Sequence, residues 1–221
     1  STPCGTLFPY TTLFRSEQYR DDVGGIMERI AEELREQGRE PYILPEGASN
    51  AIGAMGYLAA TEEIAAQLAQ MKLNIDVVVC ATGSGGTQAG LIMGKKLYNM
   101  DYEVYGINVC DDEDYFKRKI YNIIETARQH FNFDLTISHN EIHILDGYVG
   151  EGYALNKPQE IEFIKSVAKD EGIVLDPVYT GKAMLGLMDQ IKKGRFSQKS
   201  NILFLHSGGL FGLFPKKNMF Y

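Results

Sequence analysis

The sequence lacks most of what marks a membrane, nucleic-acid or metal-binding protein. No apolar run reaches the roughly 20 residues that a helix needs to cross a bilayer. Its 22 Lys and Arg are scattered and outnumbered by 29 Asp and Glu, leaving a net charge of −7. Phosphate backbones are held by clustered basic residues, so nucleic acid is disfavoured as a partner. There are only three cysteines. Cys4, Cys80 and Cys110 are odd in number and follow no metal-ligand spacing. Cys80 and Cys110 end apolar strand-like runs, as buried thiols in a reducing cytoplasm do. No internal repeat or low-complexity tract is present. What remains, 44% hydrophobic and 23% charged residues, is the composition of a soluble globular protein. A length of 221 residues suits one ordinary domain, or one domain plus a remnant of another.

Residues 1–16, STPCGTLFPYTTLFRS, carry no charge before Arg15, repeat Thr-Leu-Phe and show neither helical nor strand periodicity. They lack the basic start and long apolar core of a signal peptide. They read as a non-native leader, similar to the translation of a sequencing adapter, or as a disordered terminus. Beyond them the pattern becomes regular. Ile26, Ile30, Ala31 and Leu34 recur at helical spacing, with Gly38 as a stop. A short strand is expected over 42–44 and a helix over 51–71. Strands are then predicted at 76–80, 103–109, 142–145 and 201–205. Helices are predicted at 87–98, 112–131, 158–171 and 180–192. This alternation argues for an α/β fold with an open, mostly parallel sheet flanked by helices.

Four segments carry chemistry. In VVVCATGSGGTQAG a buried strand ends in a glycine-rich loop that opens a helix near Thr87. Gly83, Gly85 and Gly86 let the backbone approach a ligand closely, and Ser84 and Thr87 add hydroxyls. The free N–H groups and positive dipole end of the helix then form a receptor for a phosphate dianion. A Walker loop would need Gly-Lys-Ser/Thr, and a dinucleotide fingerprint a glycine where Gln88 stands. Both nucleotide readings are weak. LDGYVGEGYALNKP places Tyr148 and Tyr153 on a glycine-rich loop after a strand. GIVLDPVYTGKAMLGL sets Tyr179 after Asp176-Pro177, with Thr180 as a cap for the next helix. ILFLHSGGLFGLF delivers His206 and Ser207 to the C-terminal end of a buried strand, where open α/β sheets place ligands. His139 and His143 have no third metal ligand nearby and read as a strand edge, so no metal is expected. The acidic run at 111–114 reads as the start of a helix.

GSGGTQAG, DPVYTGKAM and the closing HSGG, in this order, resemble the pyridoxal-phosphate (PLP) enzymes that include D-cysteine desulfhydrase and 1-aminocyclopropane-1-carboxylate deaminase. The resemblance runs from about residue 17 to residue 221. It implies the tryptophan-synthase-β-like fold, with 17–54 a remnant of the smaller α/β domain and 55–221 the larger, PLP-binding one. It implies that Gly83, Ser84, Gly85, Gly86 and Thr87 hold the PLP phosphate. Tyr153 and Tyr179 match two active-site tyrosines that contact substrate and cofactor and assist proton transfer. Ser207 matches the hydroxyl residue facing the pyridine nitrogen. Deaminase members carry an acid directly after the second tyrosine and an aliphatic residue in the HSGG turn. Thr180 and Ser207 stand there instead, the desulfhydrase pattern. A neutral hydroxyl beside the pyridine nitrogen leaves the ring a weaker electron sink, suited to simple β-elimination.

The implied activity is α,β-elimination from D-cysteine to pyruvate, sulfide and ammonia, with the deaminase as the alternative. A small amino-acid substrate and a homodimer follow from the same resemblance. Family members attach PLP to a lysine near their N-terminus and follow it with a Ser-Asn carboxylate grip. Neither is recognised here, so the chain is expected to be an inactive fragment. Ser49-Asn50 belongs to a later family segment, and Lys182 reads as a surface residue at a helix start. A non-catalytic phosphate-ligand-binding domain is the reading from another functional class.

Overall fold

The structure is a computed structural model that describes residues 16–198 and 200–221, with side chains from Asp22 onward. The expected leader therefore lies, up to residue 15, outside the described residues. The chain divides between Pro45 and Glu46 into two compact units. In the first, α1 (Ser16–Glu36) is broken at Asp22 (φ −154°, ψ 47°). The Asp22 carboxylate accepts the Gly25 N–H at 3.0 Å and so caps the stretch that carries Ile26 and Ala31, both buried. That stretch ends at Gly38, whose positive φ lets the Gly38 and Arg39 N–H groups turn back onto the Arg35 and Leu34 carbonyls. The strand expected over 42–44 does not form. Tyr42 and Leu44 are 71% and 61% exposed, and the segment pairs with none of the described strands. Its β-favouring residues have no ladder to join.

In the second unit, four strands make one parallel sheet, β1 (Val77–Thr82), β2 (Glu103–Asn108), β3 (His143–Leu145) and β4 (Ile202–Phe204), in the order β3-β2-β1-β4. β1 is central, pairing Val77↔Glu103 through Thr82↔Asn108 on one side and Val77↔Ile202 through Val79↔Phe204 on the other. Val78 and Val79 are fully buried, each contributing roughly 1.5–3 kcal/mol, which is why this strand reads as an unbroken apolar run.

Helices cover both faces. α2 (Met55–Met71), α3 (Gly86–Leu97) and α4 (Glu113–Phe131) enclose a core around Val78, Met93, Phe116, Ile120 and Ile124. α6 (Thr180–Lys192) closes the other face around Val79, Ile107, Ala183 and Leu187, with α5 (Pro158–Glu171) packed on α6. α2 and α3 approach closely because α3 presents Gly90 and Gly94: a Cβ on either would run into the Ala54 carbonyl or the Thr61 side chain. The acidic run opens α4 as expected, with the Asp112 carboxylate accepting the Tyr115 N–H at 2.7 Å.

The order 3-2-1-4 reverses between β1 and β4. The loops after those two strands therefore diverge and leave a crevice at their C-terminal ends, the place where such sheets bind ligands.

Candidate active site

β1 delivers the glycine loop to that crevice. α3 begins at Gly86 behind Gly85, an N-cap in the left-handed region at φ +89°. The helix's first bond runs from the Ala89 N–H to the Gly85 carbonyl at 2.9 Å, so the N–H groups of Gly86, Thr87 and Gln88 have no helical carbonyl to reach. The Gln88 side chain is fully buried and braces the loop, accepting from Thr82 Oγ1 at 2.9 Å and donating to the His143 carbonyl at 2.8 Å. Gly83 is open for a different reason. A Cβ there would stand 2.9 Å from the Tyr179 ring, so the absence of a side chain lets that ring lie against the loop.

The structure brings both predicted tyrosines together. The Tyr153 and Tyr179 hydroxyls are hydrogen-bonded to each other, with ring centroids 5.9 Å apart at 67°. Burial, then the bond to Tyr179, pushes the Tyr153 phenol above the ordinary tyrosine range, so Tyr153 holds its proton at neutral pH.

Asp176 fixes Tyr179. Its carboxylate is completely buried and accepts the N–H groups of Val178, Tyr179 and Thr180 at 2.7, 2.9 and 2.7 Å, and the Thr180 hydroxyl at 2.8 Å. The expectation that Thr180 caps α6 is thereby corrected: Tyr179 is the N-cap residue, without a side-chain cap of its own, and Asp176 supplies the capping oxygens. Thr180 is buried, its hydroxyl occupied by Asp176 on both sides, since Oγ1 also accepts the Asp176 N–H at 2.9 Å. The same carboxylate receives the HSGG turn, where a Cβ on Gly209 would lie 2.5 Å from Asp176 Oδ1. In that turn Ser207 and His206 are both exposed, and His206 is held by two bonds, Nε2 donating to the Val174 carbonyl at 2.9 Å and Nδ1 accepting the Gly208 N–H at 3.3 Å.

Lys182 requires a second correction. It is 1% exposed, not a surface residue, because it sits on the inner face of α6 beneath the Tyr153 loop. Its ammonium donates to the carbonyls of Val149 and Gly152 at 2.5 and 2.8 Å, and burial lowers its pKa from the ordinary lysine value. Asn156 and Lys216 tie the same loop from the other side, Asn156 to Glu160 and the Pro177 carbonyl, Lys216 to the Ala154 carbonyl and Asn156. The two histidines stack separately, His139 on Tyr121 and His143 on Tyr105. His139 lies in a 3-10 turn and His143 opens β3, so the strand-edge reading holds for His143 alone. Among the described residues no group of three or more His, Cys, Asp and Glu could hold a metal ion.

Sequence reasoning missed Ser49 and Asn108. Ser49 Oγ lies 2.5 Å from Ser84 Oγ and accepts the Gly86 N–H at 3.3 Å. No signal within its own segment indicates that pairing. Asn108 ends β2 level with Thr82. It is fully buried, yet its Oδ1 has no partner in the structure.

These residues fit a phosphorylated ligand: a cradle of Cβ-free backbone, helix-start N–H groups and the Ser84 hydroxyl beside them. The family model for pyridoxal-phosphate dependent enzymes matches residues 14–208, and the chain belongs to that family. A putative 1-aminocyclopropane-1-carboxylate deaminase of Pyrococcus abyssi is 38% identical over 189 residues, 86% of this chain and 56% of that one. The bifunctional D-cysteine desulfhydrase/1-aminocyclopropane-1-carboxylate deaminase of Arabidopsis thaliana, a mitochondrial protein, is 38% identical over 210 residues, 92% and 50% of the two chains. The crystal structure of an ACC deaminase homologue aligns with a TM-score of 0.81 at 35% identity, covering 93% of this chain and 60% of that chain. The fold is thus the tryptophan-synthase-β-like α/β fold of these PLP enzymes. The chain spans between half and three-fifths of the length of these relatives.

Proposed function

We propose that this chain forms the phosphate-anchoring part of a PLP-dependent lyase of the D-cysteine desulfhydrase type, converting D-cysteine and water to sulfide, pyruvate and ammonia. The observation that carries this reading is the Tyr179 ring on Gly83 with its hydroxyl bonded to Tyr153. It sets two bonded phenols beside a phosphate cradle.

In this reading the N–H groups of Gly85 and Thr87, with the Ser84 hydroxyl, bind the phosphate, while the Gly86 N–H is taken by Ser49. Bound there, PLP supplies a conjugated ring that accepts the electron pair left when the substrate's α-proton is removed. Tyr153 and Tyr179 pass a proton between their bonded hydroxyls and deliver it to the departing thiolate. Tyr153 is half exposed and faces entering substrate, whereas Tyr179 is partly covered and held by Asp176. Ser207, neutral and exposed on the turn after β4, would be the hydroxyl that faces the pyridine nitrogen of the bound cofactor.

Thr180 and Ser207 favour the desulfhydrase. The deaminase reading draws on the names of the relatives, where that activity recurs. Residues 17–54 would be a remnant of the smaller domain and 55–221 form the larger one in a homodimer. The free thiols of Cys80 and Cys110 suit a reducing compartment such as the cytoplasm.

The test is equilibrium binding to the purified chain of PLP and of two stable reduced adducts, N-phosphopyridoxyl-D-cysteine and N-phosphopyridoxyl-1-aminocyclopropane-1-carboxylate. Tighter binding of the D-cysteine adduct than of the cyclopropane adduct is expected. The reverse order would favour the deaminase. No retained PLP would overturn the cofactor site.

A further inference from the structure

We infer that Ser49 is a positioning residue that aims the Ser84 hydroxyl at the bound phosphate, through a directed chain of hydrogen bonds beginning at the N-terminus of α3. The inference rests on the phosphate reading of the glycine loop and assigns a role to the segment at 46–50, which that reading leaves unused.

The direction of the chain follows from its donors. The Gly86 N–H can only donate, and it points at Ser49 Oγ at 3.3 Å. Ser49 then has one hydroxyl hydrogen to place, and two acceptors within reach. The Gly47 carbonyl is 3.4 Å away and Ser84 Oγ is 2.5 Å away. At 3.4 Å a hydroxyl bond has lost most of its strength, whereas 2.5 Å is at the short end of the O–H···O range. Ser49 therefore donates to Ser84. Ser84 Oγ is then an acceptor within the protein, which leaves its own hydrogen free to point outward. Each link polarises the next, and the chain starts at the positive end of a helix dipole, so the outward O–H is a stronger donor to an anion than an isolated serine.

The packing has little room for another arrangement. A Cβ on Gly47, which sits at φ +64°, would run into Ser84 Oγ, and one on Gly86 would stand 2.8 Å from Ser49 Oγ. Gly47, Ser49, Ser84 and Gly86 thus interlock. Asn50 anchors the segment by accepting the Gly53 N–H at 2.8 Å, and Ala51 and Ala54 join the core beneath.

The experiment compares PLP with pyridoxal, which lacks the phosphate, in equilibrium binding to the whole chain and to Ser84→Ala, Ser49→Ala, Ser49→Thr and the double Ser49→Ala/Ser84→Ala variant. Ser84→Ala and Ser49→Ala should each lose about ten-fold in PLP affinity, the scale of a hydrogen bond to a charged group. The double variant should bind no worse than Ser84→Ala, Ser49→Thr should keep most of the affinity, and pyridoxal binding should not change. Wild-type affinity in Ser49→Ala alongside a weakened Ser84→Ala would overturn this role and leave the phosphate reading standing, as would additive losses in the double variant. A wild-type chain that binds PLP no better than pyridoxal would overturn both. Should Ser49→Ala lose its cooperative thermal transition, Ser49→Cys, nearly isosteric and a poor donor, is held to the same criteria.

Discussion

At the scale of single residues, Asp176 and Lys182 show how buried charge is used to hold loops rather than to react. Asp176 is surrounded by four donors on its own segment, so its charge is compensated without a counter-ion. Lys182 does the complementary job, satisfying two carbonyls of the Tyr153 loop. Replacing Lys182 with Met should cost about 2–4 kcal/mol, because both carbonyls lose their donor inside the fold. The cost should also depend on pH. Burial lowers the folded-state pKa below the ordinary value of 10.5, so between those two values the unfolded chain binds more protons than the folded one. Stability contributed by this group therefore rises with pH through that window. Urea unfolding of wild type and Lys182→Met at about pH 8 and about pH 10 should show the gap widening in favour of wild type at the higher pH. A gap that narrows as pH rises would contradict this account of Lys182. Its burial was not legible in the sequence: Thr-Gly-Lys at a helix start reads as exposed, and only the loop laid over α6 makes it internal.

At the scale of elements, the parts with strong local patterns were legible and the parts set by tertiary contact were not. The VVV run before GSGG fixed β1, its loop and α3 to within a residue or two, because apolar periodicity and glycine placement are local. The 42–44 segment has equally good β-formers but no neighbouring strand, and pairing is a non-local property. The contact of Ser49 with Ser84, 35 residues apart in the chain, was hidden for the same reason. The HSGG turn belongs between these cases. Its glycines were evident, but the reason for the second was not: Gly209 sits at φ +92° with Asp176 where a Cβ would go. Gly209→Ala should therefore destabilise by at least about 2 kcal/mol, combining a left-handed backbone with a clash. Gly208→Ala, strained at φ +101° but open in space, should cost less. Thermal unfolding of the two variants checks the order, and equal losses would remove the claimed contact with Asp176.

At the scale of the whole second unit, the sheet order places the loops after β1 and β4 on either side of one switch point, and the Asp176 segment reaches both. That joins three motifs, the outer two separated by about 120 residues, into one crevice. Motif order carried the family resemblance, whereas the joining depends on a parallel order that sequence periodicity does not encode. The C-terminal segment leaves Phe211, Phe214 and Tyr221 at 85%, 67% and 98% exposed. Phe214 and Tyr221 line an apolar cleft of about 320 Å³ between α5 and the last residues, well away from the glycine loop in the chain. The crevice, rather than this cleft, has the polar groups a phosphorylated cofactor needs.

The most direct measurement of that claim is the phosphorus NMR signal of PLP titrated with the purified chain. The account predicts a saturable shift of the phosphate resonance that added inorganic phosphate reverses. A resonance that stays at its free position with the chain in excess would contradict it.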